Sequence, residues 1–331
     1  MAVLHKEKLR AGRNRTLCLT DEDKARLQPT LLRDIPASRL VESVTGTIHG
    51  DYRHWIGVLP LTHVDLLFLD PPYNLDKAFN GNKFARRSVQ EYTEWLDGVL
   101  GQLMPLLKST ATVYICGDWL TSHSIFAAAS HHLHIRNRIT WEREKGRGAQ
   151  TNFKNGSEDI WFCTVSDTYT FHVDAVKLRR KVIAPYTDTK GQPKDWQHTA
   201  TGNFRDTHPS NLWTDITVPF WSMPENTDHP TQKSEKLLAK LLLASTCPGD
   251  FVFDPFLGSG TTSVVAQKLG RRYLGIECDE EYCCLAARRL EIAGQNREIQ
   301  GFGDGVFWER NTLSIQKTVK QGAGSLERFA R

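Results

Sequence analysis

Short apolar runs recur along the chain, each stopping at turn residues. The clearest is Val64-Asp65-Leu66-Leu67-Phe68-Leu69, which ends at Asp70-Pro71-Pro72-Tyr73-Asn74. Ala111-Thr112-Val113-Tyr114-Ile115-Cys116, residues 159–165 and Phe251-Val252-Phe253 have the same character, Arg271 to Glu277 adds Tyr273-Leu274-Gly275-Ile276, and the more polar residues 135–141 also read as a strand. Apolar residues on both parities over a few positions predict strands buried on both faces. Between them, residues 91–107, 263–269 and 280–293 carry apolar positions at helical spacing. Strand and helix alternate, which predicts an α/β fold, doubly wound, with a mainly parallel sheet and helices on both faces.

The pattern fails in four places. Residues 1–40 are polar and irregular and read as an arm or cap. Residues 76–87 are polar and basic, with Gly81 and Asn82 as turn signals, and predict a loop over the end of the first strand. A basic, glycine-bearing stretch runs from Arg143 through Lys145 to Arg147 and Gly148. Between about 166 and 228 periodicity is poor, with Pro185, Pro193, Pro209, Pro219 and Pro224 interleaved with Trp196, Trp213 and Trp221. From Asp167 to Asp228 there are seven Lys or Arg against eight Asp or Glu, so this is not a plain phosphate-binding tract.

Two strand tips carry candidate chemistry. At the first, Asp70 can accept one N–H of an exocyclic amine, a carbonyl of the rigid Pro71-Pro72 turn can accept the other, and Tyr73 can stack on the attached ring; the fit is to a nucleobase. At the second, Asp254-Pro255-Phe256-Leu257-Gly258-Ser259-Gly260-Thr261-Thr262 leads from a strand through a glycine-rich turn into a helix, the outline of a nucleotide pocket. Glu277 follows Gly258 by 19 residues and ends the next strand, a spacing that suits ribose hydroxyls. Ser263 stands where a dinucleotide fingerprint has its third glycine, and Gly-Lys-Ser/Thr is absent, so a nucleoside without pyrophosphate is favoured.

Composition changes this picture little. The 331 residues suffice for one large α/β domain with a sizeable extra region, and the formal net charge of +4 permits nucleic-acid binding without demanding it. Seven cysteines without a CxxC pair argue against a secreted disulfide framework. No run of 18 apolar residues and no apolar stretch behind Lys6, Lys8, Arg10 and Arg13 predict a chain without signal peptide or membrane helix that stays in the cytoplasm.

The two tips, with Ile48-His49-Gly50-Asp51, His229-Pro230-Thr231-Gln232-Lys233 and Gly275-Ile276-Glu277 in this order, resemble the amino-group DNA methyltransferases that use S-adenosylmethionine. The tip DPPY precedes FLGSG, which resembles the permuted subgroup called the beta class, and the resemblance spans about residues 46–290. It implies a Rossmann-like methyltransferase fold with a mostly parallel seven-stranded sheet and a target-recognition insertion. The chain would divide into an arm (1–40), a catalytic half (41–165), a target-recognition region (166–228), a cofactor-binding half (229–295) and a C-terminal tail (296–331). Implied partners are double-stranded DNA and, as a candidate, a cognate restriction endonuclease; the protein would be a monomer or homodimer in a bacterium or encoded by a phage.

The resemblance also implies roles. Asp70, Pro71, Pro72 and Tyr73 would be catalytic. Asp70 and the Pro71 carbonyl would accept the two amine protons and favour a pyramidal nitrogen, while Tyr73 stacks on a base swung out of the duplex. Asp254 and the turn of Phe256, Gly258, Ser259, Gly260 and Thr261 would hold the methionine part of the cofactor, Glu277 its ribose and Asp51 its adenine, with Thr231 and Lys233 near the methionine end. Phosphate contacts would come from Arg143, Lys145, Arg147, Lys177, Arg179, Arg180 and Lys181. Family members acting on cytosine N4 often carry Ser where this chain has Asp70, so adenine N6 is expected; protein-glutamine or RNA methylation, or an inactive DNA-binding regulator, are more distant alternatives. Ring-carbon methylation of cytosine needs a Pro-Cys motif, which the sequence lacks.

Three conspicuous features receive ordinary readings. His131, His132 and His134 lack acids or cysteines at ligand spacing, so no metal is expected. Cys283 and Cys284 read as core packing on a helix. Trp95, Trp141 and Trp161 read as core.

Overall fold

In the computed structural model, residues 12–33, 45–59, 62–79, 82–143, 150–183, 186–199 and 202–316 are described. The strands in chain order are β1 (Gly46–His49), β2 (Val64–Leu69), β3 (Lys77–Phe79), β4 (Asn82–Phe84), β5 (Leu107–Gly117), β6 (His134–Glu142), β7 (Ser157–Thr164), β8 (Leu178–Lys181), β9 (Gln197–Thr199), β10 (Gly202–Thr207), β11 (Leu212–Trp213), β12 (Phe251–Asp254), β13 (Arg272–Glu277), β14 (Phe302–Gly303) and β15 (Val306–Trp308).

Eight of them form the main sheet in the order β1-β13-β12-β2-β5-β7-β6-β11. From β1 to β5 all neighbours are parallel; β7 runs antiparallel to both β5 and β6. The sheet is therefore mostly parallel, as expected. The strand beyond the seven expected is two-residue β11, which lies parallel to β6 at the edge.

Alternation along each strand explains why the sheet sits between two helical layers. Val64, Leu67 and Leu69 of β2, Val113 and Ile115 of β5, and Phe251 and Phe253 of β12 join one core with the helices Val89–Leu103 and Ser122–His132. Leu66 and Phe68, Tyr114 and Cys116, and Val252 join the opposite core with the helices Glu235–Ser245 and Thr261–Lys268. Successive side chains on a strand point to opposite faces, so a strand covered on both sides must be apolar at nearly every position. Trp141 and Trp161 fill these two cores, and Cys283 and Cys284 pack against Leu27 and Leu31 in a smaller one.

Three regions differ from the sequence pattern. The polar stretch 76–87 contains β3 paired antiparallel with β4, a hairpin that its polar composition concealed. Residues 21–27, within the expected arm, form the helix Asp21–Leu27, closed by a Thr20–Asp23 capping box and docked on the helix Glu280–Gln295 through the Lys24–Glu281 and Arg26–Glu291 ion pairs. The region 166–228 and the expected tail share a second sheet, β14-β15-β8-β10-β9. β15 lies parallel to β8, so Phe302–Trp308 completes this sheet rather than trailing from the molecule. The Lys236 ammonium donates to the carbonyls of Asp215 and Trp308, tying the second sheet to the helix Glu235–Ser245.

Among the described residues, no helix is long and apolar enough to cross a membrane.

Candidate active site

β2 and β12 are neighbours, with Val252 opposite Leu66 and Phe253 opposite Leu67. From β12 the sheet continues outward to β13, and from β2 it continues the other way to β5, so the strand order reverses between them. That reversal opens a crevice at the carboxyl ends of the strands, where ligands bind in doubly wound sheets. A cavity of about 1100 Å³ lies there. Its wall includes Asp51, Asp70, Pro71, Pro72, Tyr73, Thr231, Lys233, Asp254, Phe256, Gly258, Ser259, Thr261 and Glu277, so two motifs far apart in sequence face one space. Gly260 stands just behind the wall. Its φ of +85° is in the left-handed region, and a Cβ there would lie 2.5 Å from the Ala286 Cβ, so this glycine lets the turn approach the helix Glu280–Gln295.

At the β2 tip, Tyr92 Oη donates to the Pro72 carbonyl at 3.0 Å and pins the turn. Asp70 is engaged on both oxygens: Lys233 Nζ lies 2.6 Å from Oδ2, and Tyr73 Oη donates to Oδ1 at 3.1 Å. Lys233 Nζ also lies 2.9 Å from Oε1 of Glu158, which Tyr73 Oη meets as well, so the two carboxylates share its single proton. Arg143 Nη1 meets the other oxygen of Glu158 at 2.9 Å. Two carboxylates and two cations thus balance in a cluster where Lys233 and Glu158 are buried and Asp70 and Arg143 partly so. Burial pushes the Asp70 carboxyl above its usual range, against the pull of Lys233. Burial has the same tendency at Glu158, but Lys233 and Arg143 overcome it and hold Glu158 low. For Lys233 burial works against the charge, yet Asp70 and Glu158 keep the ammonium protonated.

At the β12 tip, Asp254 Oδ1 accepts from the Phe256 N–H at 3.0 Å and Oδ2 from Thr262 Oγ1 at 2.6 Å. Burial raises its pKa to about 7. Glu277 accepts from the Gly258 N–H and the Asp279 N–H, both at 2.8 Å, so β13 and the glycine turn are fastened through one carboxylate. Asp51 caps the short helix Tyr52–Ile56 by accepting from the Arg53 N–H at 2.9 Å and also pairs with the Arg53 guanidinium. Tyr52, Phe256, Trp95 and Tyr92 form a chain of tilted ring contacts along the cavity wall, with Tyr52 and Phe256 centroids 4.9 Å apart. Trp95 packs on the core as expected and also faces the cavity.

A family model described as DNA methylase matches residues 64–288. The chain belongs to this DNA methylase family. The methylase is 34% identical over 252 residues to the DNA adenine methyltransferase YhdJ of Escherichia coli (strain K12), covering 74% of this chain and 82% of the relative. It is 29% identical over 270 residues to the type II methyltransferase M.BglII of Bacillus subtilis, covering 77% and 71%. Its fold is shared with the M1.HpyAVI–SAM complex, at a TM-score of 0.50 and 21% identity over 75% of this chain and 99% of that one.

The expected site residues divide accordingly. The residues of the two tips come together, with Thr231 beside them. Lys233, expected at the methionine end, directs its ammonium to Asp70 and Glu158. Of the expected phosphate contacts, Arg143 lines the same cavity, and Arg179 is held bidentate by Asp206 with both contacts at 2.8 Å. Lys177 pairs with Asp174 at 2.7 Å, while Arg180 and Lys181 follow on β8. Lys145 and Arg147 lie outside the described residues. Sequence reasoning missed Glu158; its one signal was an acid beside Asp159 at the start of a strand that is otherwise mostly apolar. His131 and His132 both face Asp97, and among the described residues no group of three or more His, Cys, Asp or Glu is arranged to hold a metal.

Proposed function

We propose that this methylase transfers the methyl group of S-adenosylmethionine to the N6 amino group of adenine in double-stranded DNA, at a specific sequence, in the cytoplasm of a bacterial or phage-infected cell. The observation that supports this best is the convergence of Asp70 and Asp254 on one cavity at the switch point of the sheet. The names of the relatives, an adenine methyltransferase and a type II methyltransferase, favour adenine and a restriction-modification setting with a cognate endonuclease.

The residues present fit the cofactor. Glu277, fixed by two backbone N–H groups, suits ribose hydroxyls, and the buried Asp254 carboxylate suits a cationic methionine end. Gly258, with φ +55°, bares the turn backbone between them. Asp51 stands at the rim, where it suits the cofactor's adenine. When bound, S-adenosylmethionine supplies an electrophilic methyl carbon on a sulfonium.

This chain's own work is acceptance and alignment. An ionised carboxylate has about four lone-pair sites, so Asp70 can accept an amine N–H in addition to Lys233 and Tyr73. The DPPY turn, pinned by Tyr92, brings the Pro71 carbonyl to the second N–H. Little covalent help is needed, and positioning plus electrostatics carry the acceleration. An amine stacked inside a duplex cannot reach Asp70 in this cavity, so the base is swung out and laid against Tyr73. The second sheet, which carries β8 to β10 of the region 166–228, reads base edges.

The test is incubation of the protein with S-adenosylmethionine and unmethylated bacterial DNA, followed by nucleoside mass spectrometry and methylation-sensitive sequencing. N6-methyladenine at one sequence is expected. N4-methylcytosine alone overturns the choice of base, and methylated RNA or protein with unmodified DNA overturns the substrate class.

A further inference from the structure

We propose that Glu158 is a positioning residue for the transfer reaction: it takes a share of the Lys233 ammonium, whose charge keeps Asp70 ionised, and so leaves Asp70 room for the target amine. The inference rests on the functional reading above and deepens it at the same cavity.

The argument begins with what Asp70 must do. A protonated carboxyl donates through its hydroxyl and keeps less acceptor capacity than the carboxylate, so it serves an amine whose N–H groups need acceptors less well. Burial at the end of β2 favours that protonated form. Lys233, itself only 6% exposed, supplies the opposing charge at 2.6 Å. A cation held by Asp70 alone would compete with the incoming amine for the same lone pairs. Glu158, with its side chain 2% exposed, takes part of the ammonium at 2.9 Å and so limits that competition. Arg143 compensates Glu158 from the opposite side at 2.9 Å. Tyr73 Oη, within reach of both carboxylates, couples the ring expected against the base to the same network.

The titratable groups that face Asp70 are Lys233, Glu158, Tyr73, Tyr92, Cys116 and, across the crevice, Asp254. Of these only Lys233 is a cation, so the two substitutions act with opposite sign. Removing Lys233 leaves Asp70 facing Glu158 and raises its titration point. Removing the charge of Glu158 lowers it and gives Lys233 wholly to Asp70.

The experiment compares full-length wild type with Lys233→Met, Lys233→Arg and Glu158→Gln. The Asp70 carboxyl is followed by carbon-13 NMR titration, assigned by its loss in Asp70→Asn, and the pH profile of kcat/KM on DNA is recorded alongside. The expected result is a titration at least one pH unit higher in Lys233→Met, near wild type in Lys233→Arg and lower in Glu158→Gln. The acid limb of activity should move in the same directions, and kcat in Glu158→Gln should fall at least 10-fold with cofactor affinity within 2-fold of wild type. Asp70 titrating alike in all four proteins overturns the inference. The NMR arm does not require turnover, so a wild type that leaves DNA unmethylated sinks the functional reading while the shared ammonium is still judged.

Discussion

Replacing Asp254 by Asn should stabilise the protein at alkaline pH, by an amount that follows from its surroundings. The carboxyl is 2% exposed and titrates at about 7 when folded, against 3.8 for an ordinary Asp. Between those values the folded chain keeps a proton that the unfolded chain has lost, so stability falls as pH rises through this window. The full loss above pH 7 is about 4 kcal/mol, since each pKa unit corresponds to about 1.4 kcal/mol. Asn cannot ionise, yet its oxygen can still accept from the Phe256 N–H and its amide can donate to Thr262 Oγ1, so both present contacts survive. The advantage of the variant over wild type should therefore grow by about 3 kcal/mol between pH 5 and pH 8.5. Urea unfolding at both pH values, extrapolated linearly to water, measures that difference. Wild type and variant keeping a constant separation across the range would refute the assignment of a burial-strained carboxylate at this tip. The same variant should bind S-adenosylmethionine more weakly, because the negative charge offered to its cationic end is gone.

Three further outcomes are expected. Asp70→Ala should abolish methyl transfer while calorimetric affinity for S-adenosylmethionine stays within a few-fold of wild type; full turnover would remove Asp70 from the mechanism. Gly260→Ala should lower stability by about 2–4 kcal/mol in urea melts, of which about 1–2 kcal/mol is the left-handed backbone and the rest the overlap with Ala286. Leu67→Ala, at a fully buried position opposite Phe253 on β12, should cost about 2–5 kcal/mol and lower the thermal midpoint without shifting the acid limb of kcat/KM.

Much of the molecule was legible along the chain because its main constraints are local. A strand covered on both faces must be apolar on both parities, and that rule marked β2, β5 and β12. Prolines after Asp70 and glycines after Asp254 are demands of the backbone at a strand end, so both tips announced themselves. The helix Asp21–Leu27 was equally available, through the Thr20 and Asp23 capping pair, but was passed over amid polar neighbours.

What stayed hidden depends on which segments meet. Nothing in the run 157–164 says that it enters the sheet against the direction of β5, because double-sided burial erases the alternation that would reveal orientation. The pairing of β15 with β8 joins residues about 130 apart, and Leu178 of β8 and Phe307 of β15 enter one core only where these distant segments meet. Nothing along the chain pairs Glu158, beside Asp159 at a strand start, with Lys233, at the end of its short motif. Charge balance in a dry pocket is a property of distances, and only folding brings Lys233 to 2.6 Å from Asp70 and 2.9 Å from Glu158. The chain by itself thus determined the chemistry of each tip, through backbone and side-chain requirements satisfied within a few residues. The tertiary structure decided their juxtaposition, and with it which carboxylates share a cation, because electrostatic interaction in a water-poor site is set by separation in space.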